Sequence, residues 1–271
     1  MTNLQLRIVS GVVLAVIVLA LTWMGGVPFR LLAAAIGALV FYEWTTVSNL
    51  DRDRPLWLGA WGLVAIILAA LAAGLTGYPM LILAIVPTLL LLAIGQAREF
   101  GTLSAIGVGY AAFPAVALAF LRGGDFSGLL AILYLFAVVW GTDIFAYFVG
   151  RAVGGPKLAP SISPGKTWSG AIGGALAALV AGWAVAYFAG HPSPLLMGLL
   201  ALPLSAVSQV GDLFESGFKR RFGAKDSSQL IPGHGGVMDR VDGLVAAAVA
   251  LYLAGWLLAG PAAPASRLFP I

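Results

Sequence analysis

Residues 195–260 run LLMGLLALPLSAVSQVG (195–211), DLFESGFKRRFGAKDSSQLIPGHGGVMDR (212–240) and VDGLVAAAVALYLAGWLLAG (241–260). The two outer runs are apolar, carry only Asp242 as a charge, and approach the roughly 20 residues with which an α-helix crosses a bilayer. The insert between them is the reverse: Asp212, Glu215, Lys219, Arg220, Arg221, Lys225, Asp226, Asp239 and Arg240 crowd into it, in a chain that is only 10% charged. Two membrane-spanning helices joined through a polar segment is what this predicts. Further apolar runs lie at roughly 8–24, 31–48, 56–74, 79–95, 103–121, 128–149 and 169–189. Hydrophobic residues make up 61% of the chain, against about 45–50% in soluble domains, and mean hydropathy is +0.99. The expected fold is therefore all-α: a polytopic integral membrane protein with about nine transmembrane helices.

The run at 8–24 follows Arg7 as a signal peptide would, but Leu21-Thr22-Trp23-Met24 has no small-x-small cleavage site, so a retained helix is expected. Lys and Arg residues concentrate in cytoplasmic loops of membrane proteins. With the N-terminus inside, nine spans place Arg7, Arg52, Arg54, Arg98, Arg151, Lys157, Lys166, Lys219, Arg220, Arg221, Lys225 and Arg240 on the cytoplasmic side, and only Arg30, Arg122 and Arg267 outside. The cationic face suits nucleotide phosphates and anionic membrane lipids. Nucleic acid is not expected as a partner, because no soluble basic domain is present to carry it. The absence of cysteine excludes disulfides, thiolate nucleophiles and Cys-ligated metal centres.

No soluble domain or fixed-period repeat interrupts the chain, so one membrane-embedded domain is expected, in two regions. Residues 1–127, poor in polar residues within spans, read as scaffold and lipid-facing wall. Residues 128–271 carry Asp143, Asp212, Asp239 and Asp242 at or near helix ends and read as the catalytic part. Trp23, Trp44, Trp57 and Trp168 fall where interfacial aromatic belts are expected. Gly170, Gly173 and Gly174 begin a small-residue stripe suited to close helix packing.

Asp212, Glu215, Ser216 and Lys219 are spaced three, four and seven residues apart and share one helix face, as do Asp239 and Asp242. Carboxylates within a membrane are costly, and several at one depth usually bind a cation or a proton. Asp212, Asp239 and Asp242 together with phosphate oxygens and water would suit a hard, oxygen-preferring ion such as Mg²⁺. Ion pairing at the helix ends, Asp239 with Arg240 or Asp212 with Lys219, is the competing account. Gly233, Gly235 and Gly236 form a flexible segment that lets backbone N–H groups approach phosphate oxygens.

The second polar segment, 141–167, reads GTDIFAYFVGRAVGGPKLAPSISPGKT. Gly165-Lys166-Thr167 is not the end of a P-loop: Pro160 occupies the position of the required first glycine, and no strand is expected ahead of it.

Both segments resemble the phosphatidate cytidylyltransferases (CDP-diacylglycerol synthases). The first carries Ser216, Phe218, Lys219, Arg220, Lys225, Asp226, Ser228, Ile231, Pro232, His234, Gly235, Gly236, Val237, Asp239, Arg240, Val241 and Asp242 at the family's constrained positions. The second matches a D-x-x-A-Y-x-x-G-R and K-L-x-P-x-S-P-x-K-T pattern through Asp143, Ala146, Tyr147, Gly150, Arg151, Lys157, Leu158, Pro160, Ser163, Pro164, Lys166 and Thr167, with Ser169 where the family has Glu. The resemblance covers roughly 140–242; the first 130 residues match in hydropathy alone.

It implies transfer of CMP from CTP to phosphatidic acid, giving CDP-diacylglycerol and pyrophosphate, in a bacterial-type inner membrane. Asp212, Ser216, Lys219, Arg220, Asp239 and Asp242 would then be catalytic, with Mg²⁺ on Asp212, Asp239 and Asp242. Substrate binding would fall to Asp143, Arg151, Lys157, Lys166, Lys225, Asp226, His234, Gly235, Gly236 and Arg240. Lys219 and Arg220 would hold the triphosphate, and Arg151 and Lys166 either the lipid phosphate or the nucleotide. His234 would orient the glycine turn, touch pyrophosphate or serve structure alone. A second cation such as K⁺ and a homodimer are compatible with the family. Two other classes share these features: a membrane lipid kinase, which uses the same phosphates, and a cation-coupled transporter, which also buries carboxylates but near the midplane of inverted halves.

Overall fold

A computed structural model describes residues 3–270; residues 1, 2 and 271, the extreme ends of the two expected regions, lie outside it. Among the described residues, nine helices are long and apolar enough to span a membrane: α1 (Asn3–Met24), α2 (Gly26–Val47), α3 (Arg54–Ala73), α4 (Gly77–Gly95), α5 (Gly101–Arg122), α6 (Phe126–Val153), α7 (Trp168–Phe188), α8 (Pro194–Arg221) and α9 (Met238–Ala259). A 3₁₀ turn at Leu50–Arg52 follows α2, and a short α10 (Ala265–Leu268) follows α9. The protein is a multi-pass, all-α membrane protein.

The helices stop where side chains or glycines satisfy their ends. Asp53, Asp125 and Thr167 accept the N–H of Leu56 (3.2 Å), Gly128 (2.8 Å) and Gly170 (3.1 Å) at the starts of α3, α6 and α7. Arg122 does the converse at the end of α1. Its buried guanidinium donates to the carbonyls of Thr22 (2.5 Å) and Trp23 (3.0 Å), and to that of Asp125 (2.9 Å), tying α1, α5 and α6 together.

Helix α5 is the centre of the bundle, with 78% of its apolar window buried, whereas only 6% of that of α1 is. It packs on α2, α3, α4, α6 and α9, while α6, α7, α8 and α9 pack in chain order. Between α6 and α7 the small-residue stripe does what its spacing predicts. A side chain at Gly170 would sit 2.6 Å from the carbonyl oxygen of Ala146, and one at Gly174 would sit 2.7 Å from that of Thr142. Only glycine permits this approach.

Three expectations are corrected. Trp44 is not interfacial but 1% exposed, stacked on Phe218 with ring centroids 3.8 Å apart and donating to the carbonyl of Leu103 at 3.1 Å. The segment before α7 contains a two-stranded antiparallel hairpin, β1 (Lys157–Ala159) and β2 (Ser163–Thr167). The glycine segment is an ordered turn, closed by Ile231 N–H to Gly235 O (2.8 Å) and His234 N–H to Ile231 O (2.9 Å), with Gly233 and Gly235 at positive φ.

Candidate active site

The close α6–α7 contact sets the β1–β2 hairpin across the end of α6, because Thr167 ends β2 and caps α7 in one step. Below the hairpin lies a cavity of about 680 Å³ walled by α6, α7 and α8. Asp143, Tyr147 and Arg151 line it from α6 at intervals of four residues; Lys157, Ser163 and Lys166 come from the hairpin, and Gln209 and Asp212 from α8. Lys166 forms an ion pair with Asp212. Arg151 Nη1 donates to Tyr147 Oη at 3.0 Å, which holds the guanidinium at the cavity wall. Ser169, where the resemblance leads one to expect Glu, hydrogen-bonds the carbonyl of Gly154 and Thr167 Oγ1, fastening the base of the hairpin.

Asp143, Asp212 and Asp242 stand close enough to interact electrostatically with one another and with Lys166. Helices α8 and α9 touch at this level: a side chain at Gly211 would lie 2.9 Å from the carbonyl oxygen of Asp242. Ser216 Oγ donates to Asp212 Oδ1 at 3.3 Å. Asp143 and Asp212 thus face a cavity that also offers Arg151, Lys157 and Lys166, with Asp242 behind them on α9, an arrangement able to hold a polyphosphate.

Asp239 belongs to a second cluster. Its carboxylate accepts from Lys219 Nζ (2.5 Å), the N–H of Ser227 (3.0 Å) and the N–H of Gly236 (2.8 Å), with Ser227 Oγ 3.0 Å away. Lys219 also pairs with Glu215 at 2.8 Å. Expectation is corrected here: Asp212, Asp239 and Asp242 do not meet as one triad, and among the described residues no three acidic or histidine side chains form a ready-made metal cage. Asp239 sits in the first turn of α9, where loop N–H groups and Lys219 claim both its oxygens, while Asp242 one turn on accepts the N–H of Gly243 at 2.7 Å within electrostatic reach of Asp212. Neither competing ion pair forms; the pairs are Lys166–Asp212, Lys219–Glu215 and Lys219–Asp239. Lys219, expected on a triphosphate, is 8% exposed between two carboxylates.

The remaining expected residues lie elsewhere. Arg220 is exposed in the last turn of α8 and donates to the carbonyl of Ala224 in the loop that follows at 3.0 Å; Lys225 is exposed on that loop. Asp226, His234, Gly235 and Arg240 line a separate cavity of about 470 Å³ with Arg7. There His234 Nδ1 is 2.9 Å from Ser10 Oγ of α1, and Arg240 Nε donates to the carbonyl of His234 at 3.0 Å. Gly236 is buried against Ser227 and Glu43.

Sequence reasoning missed Glu43, Arg7 and Ser10, all in the region read as scaffold. An acidic residue inside the apolar run 31–48 was the available signal for Glu43.

Comparison with known proteins places the whole chain beside named relatives. A family model described as the cytidylyltransferase family matches residues 5–258. A phosphatidate cytidylyltransferase of Brucella suis is 51% identical over 271 residues, covering 99% of each chain. One from Bacillus subtilis is 34% identical over 258 residues, covering 89% of this chain and 94% of its own. One from Haemophilus influenzae is 50% identical over 130 residues, 45% of this chain.

Proposed function

The chain belongs to the cytidylyltransferase family, and from that premise we infer that it transfers CMP from CTP to phosphatidic acid, forming CDP-diacylglycerol and pyrophosphate. The observation that carries this assignment onto the structure is the cavity in which Arg151, Lys157 and Lys166 face Asp143 and Asp212. A lipid phosphate oxygen attacks the α-phosphorus of CTP; one P–O bond forms, the bond to the β-phosphate oxygen breaks, and pyrophosphate leaves. A phosphate monoester has a second pKa of about 6 and is ionised at neutral pH, so no strong general base is required. The cavity accordingly lines itself without histidine: His234 is in the other pocket and His191 bonds the carbonyl of Leu268 at 3.0 Å.

The task of the side chains is to bring two polyanions together. Lys166, Arg151 and Lys157 supply positive charge along the cavity wall, with Lys166 released from Asp212 as phosphate arrives. Asp212 and Asp242, beside Asp143, would hold a Mg²⁺ ion, since such ions are typically bound by one or two carboxylates plus substrate phosphates rather than by a full protein cage. When bound, Mg²⁺ supplies neutralisation of the charge that develops on the departing pyrophosphate. One turn further into the bundle from Asp242, Val245, Ala246 and Val249 enter an apolar groove of about 580 Å³ between α4–α5 and α8–α9, which suits an acyl chain whose phosphate is held at the carboxylates. The basic end of the bundle faces the cytoplasm, where CTP is, in a bacterial inner membrane.

The test is incubation of the purified protein with CTP, phosphatidic acid and Mg²⁺. CDP-lipid and pyrophosphate in equal amounts are expected, with loss of both on adding EDTA. A phosphorylated lipid with a nucleoside diphosphate would instead mark a kinase.

A further inference from the structure

Glu43 lies in the last two turns of α2, and its carboxylate is completely buried. Every hydrogen bond it accepts comes from residues 227–238. Ser228 Oγ (2.6 Å) and the N–H of Val237 (2.8 Å) reach Oε1; Ser227 Oγ (2.8 Å) and the N–H of Met238 (2.6 Å) reach Oε2. Among the described residues no cation pairs with it. A buried charge without a counter-ion survives only where hydrogen bonds replace its hydration. Here two backbone N–H groups at the start of α9 and two hydroxyls do so.

The arrangement reaches beyond Glu43. Ser227 Oγ stands between the carboxylates of Glu43 (2.8 Å) and Asp239 (3.0 Å), and Asp239 in turn holds Lys219. The neighbouring Trp44 stacks on Phe218, the residue before Lys219. Two consecutive residues of α2 therefore grip the start of α9 and the end of α8. Capping α9 alone would need no more than a serine or aspartate at its own N-cap; a carboxylate from a distant helix also fixes the loop that carries Ser227 and Gly236.

We propose that Glu43 is a positioning residue for the reaction: it locks residues 227–238 and the first turn of α9 so that the Lys219–Asp239 pair and Asp242 hold their places at the α8–α9 contact, next to Asp212 of the cavity. This rests on the reaction assigned above, but the lock itself can be read without substrate.

The chain has no cysteine, so Gln229→Cys, at an exposed position of the locked segment, gives a single thiol whose labelling rate reports loop opening. Glu43→Gln keeps the shape but removes the charge and turns an amide donor toward two of the four donors. In folded protein we expect kcat to fall about tenfold or more with the KM for phosphatidic acid little changed, and the thiol to label about tenfold faster. A folded Glu43→Gln with wild-type kcat, or one that only melts earlier while kcat and labelling stay at wild-type values, overturns the proposal. Should Glu43→Gln fail to fold, Ser228→Ala removes one of the four donors, and faster labelling with reduced kcat is expected; no change in either overturns it. If the parent protein is inactive with CTP and phosphatidic acid, the reaction assignment falls, while the labelling arm still decides the lock.

Discussion

Lys219 carries its ammonium to a place only 8% exposed, between Glu215 on its own helix and Asp239 at the start of α9. Taking away one member of such a buried group leaves the others uncompensated, which typically costs about 3–5 kcal/mol. Lys219→Met should therefore destabilise the protein by about that amount in detergent unfolding, because Glu215 and Asp239 are left facing each other. Adding Glu215→Gln should restore much of the stability and none of the turnover. If Lys219→Met unfolds like wild type, the buried cluster is not as described. Asp212 differs: it is partly exposed in the cavity and pairs with a hairpin lysine. Asp212→Asn keeps shape and loses charge, so turnover should fall about 10²-fold or more with the melting temperature little changed. Near-normal turnover in this variant would remove Asp212 from the reaction.

At the scale of elements, the cavity depends on how closely α7 approaches α6. Gly170 and Gly174 lie against the carbonyls of Ala146 and Thr142, and Thr142 Oγ1 is 2.8 Å from Ser205 Oγ of α8. The hairpin bearing Lys157 and Lys166 is thus positioned by a helix contact. Gly174→Ala should push α7 away from α6, costing about 1–3 kcal/mol as overpacking does, and should lower activity by moving Lys166 off Asp212. Gly59, inside α3 with nothing within 4 Å of where a side chain would begin, supplies the opposite sign: Gly59→Ala should be neutral or stabilise by up to about 1 kcal/mol. Unfolding midpoints and specific activities of the two variants, side by side, check the argument; equal effects would refute it.

For the molecule as a whole, exposed Ser161 in the hairpin turn and exposed Ser193 before α8 lie on opposite sides of the membrane by span parity. Single cysteines there, in this cysteine-free chain, should label with an impermeant reagent from the cytoplasm and from the other side respectively. Labelling of both from one side would overturn the orientation. Hydropathy and length alone determined the nine spans, since each is a property of one continuous segment and the cost of leaving backbone unpaired in lipid permits only helix there. The distribution of Lys and Arg likewise determined which end is basic, and Gly170 and Gly174 announced a close helix contact by their spacing. What the tertiary structure decided was pairing between segments. Asp239 and Asp242 share a helix face, yet Asp239 is taken by Lys219 and loop N–H groups while Asp242 accepts only the N–H of Gly243 among the hydrogen bonds of the described residues, within electrostatic reach of Asp212. Trp44 is core because Phe218, far along the chain, offers it a ring, and Glu43 is bound to residues about 190 positions away. Periodicity tells which residues share a face of one helix; the rotation and depth at which two helices meet depend on the packing of all the others, and that information is not local to any stretch of sequence.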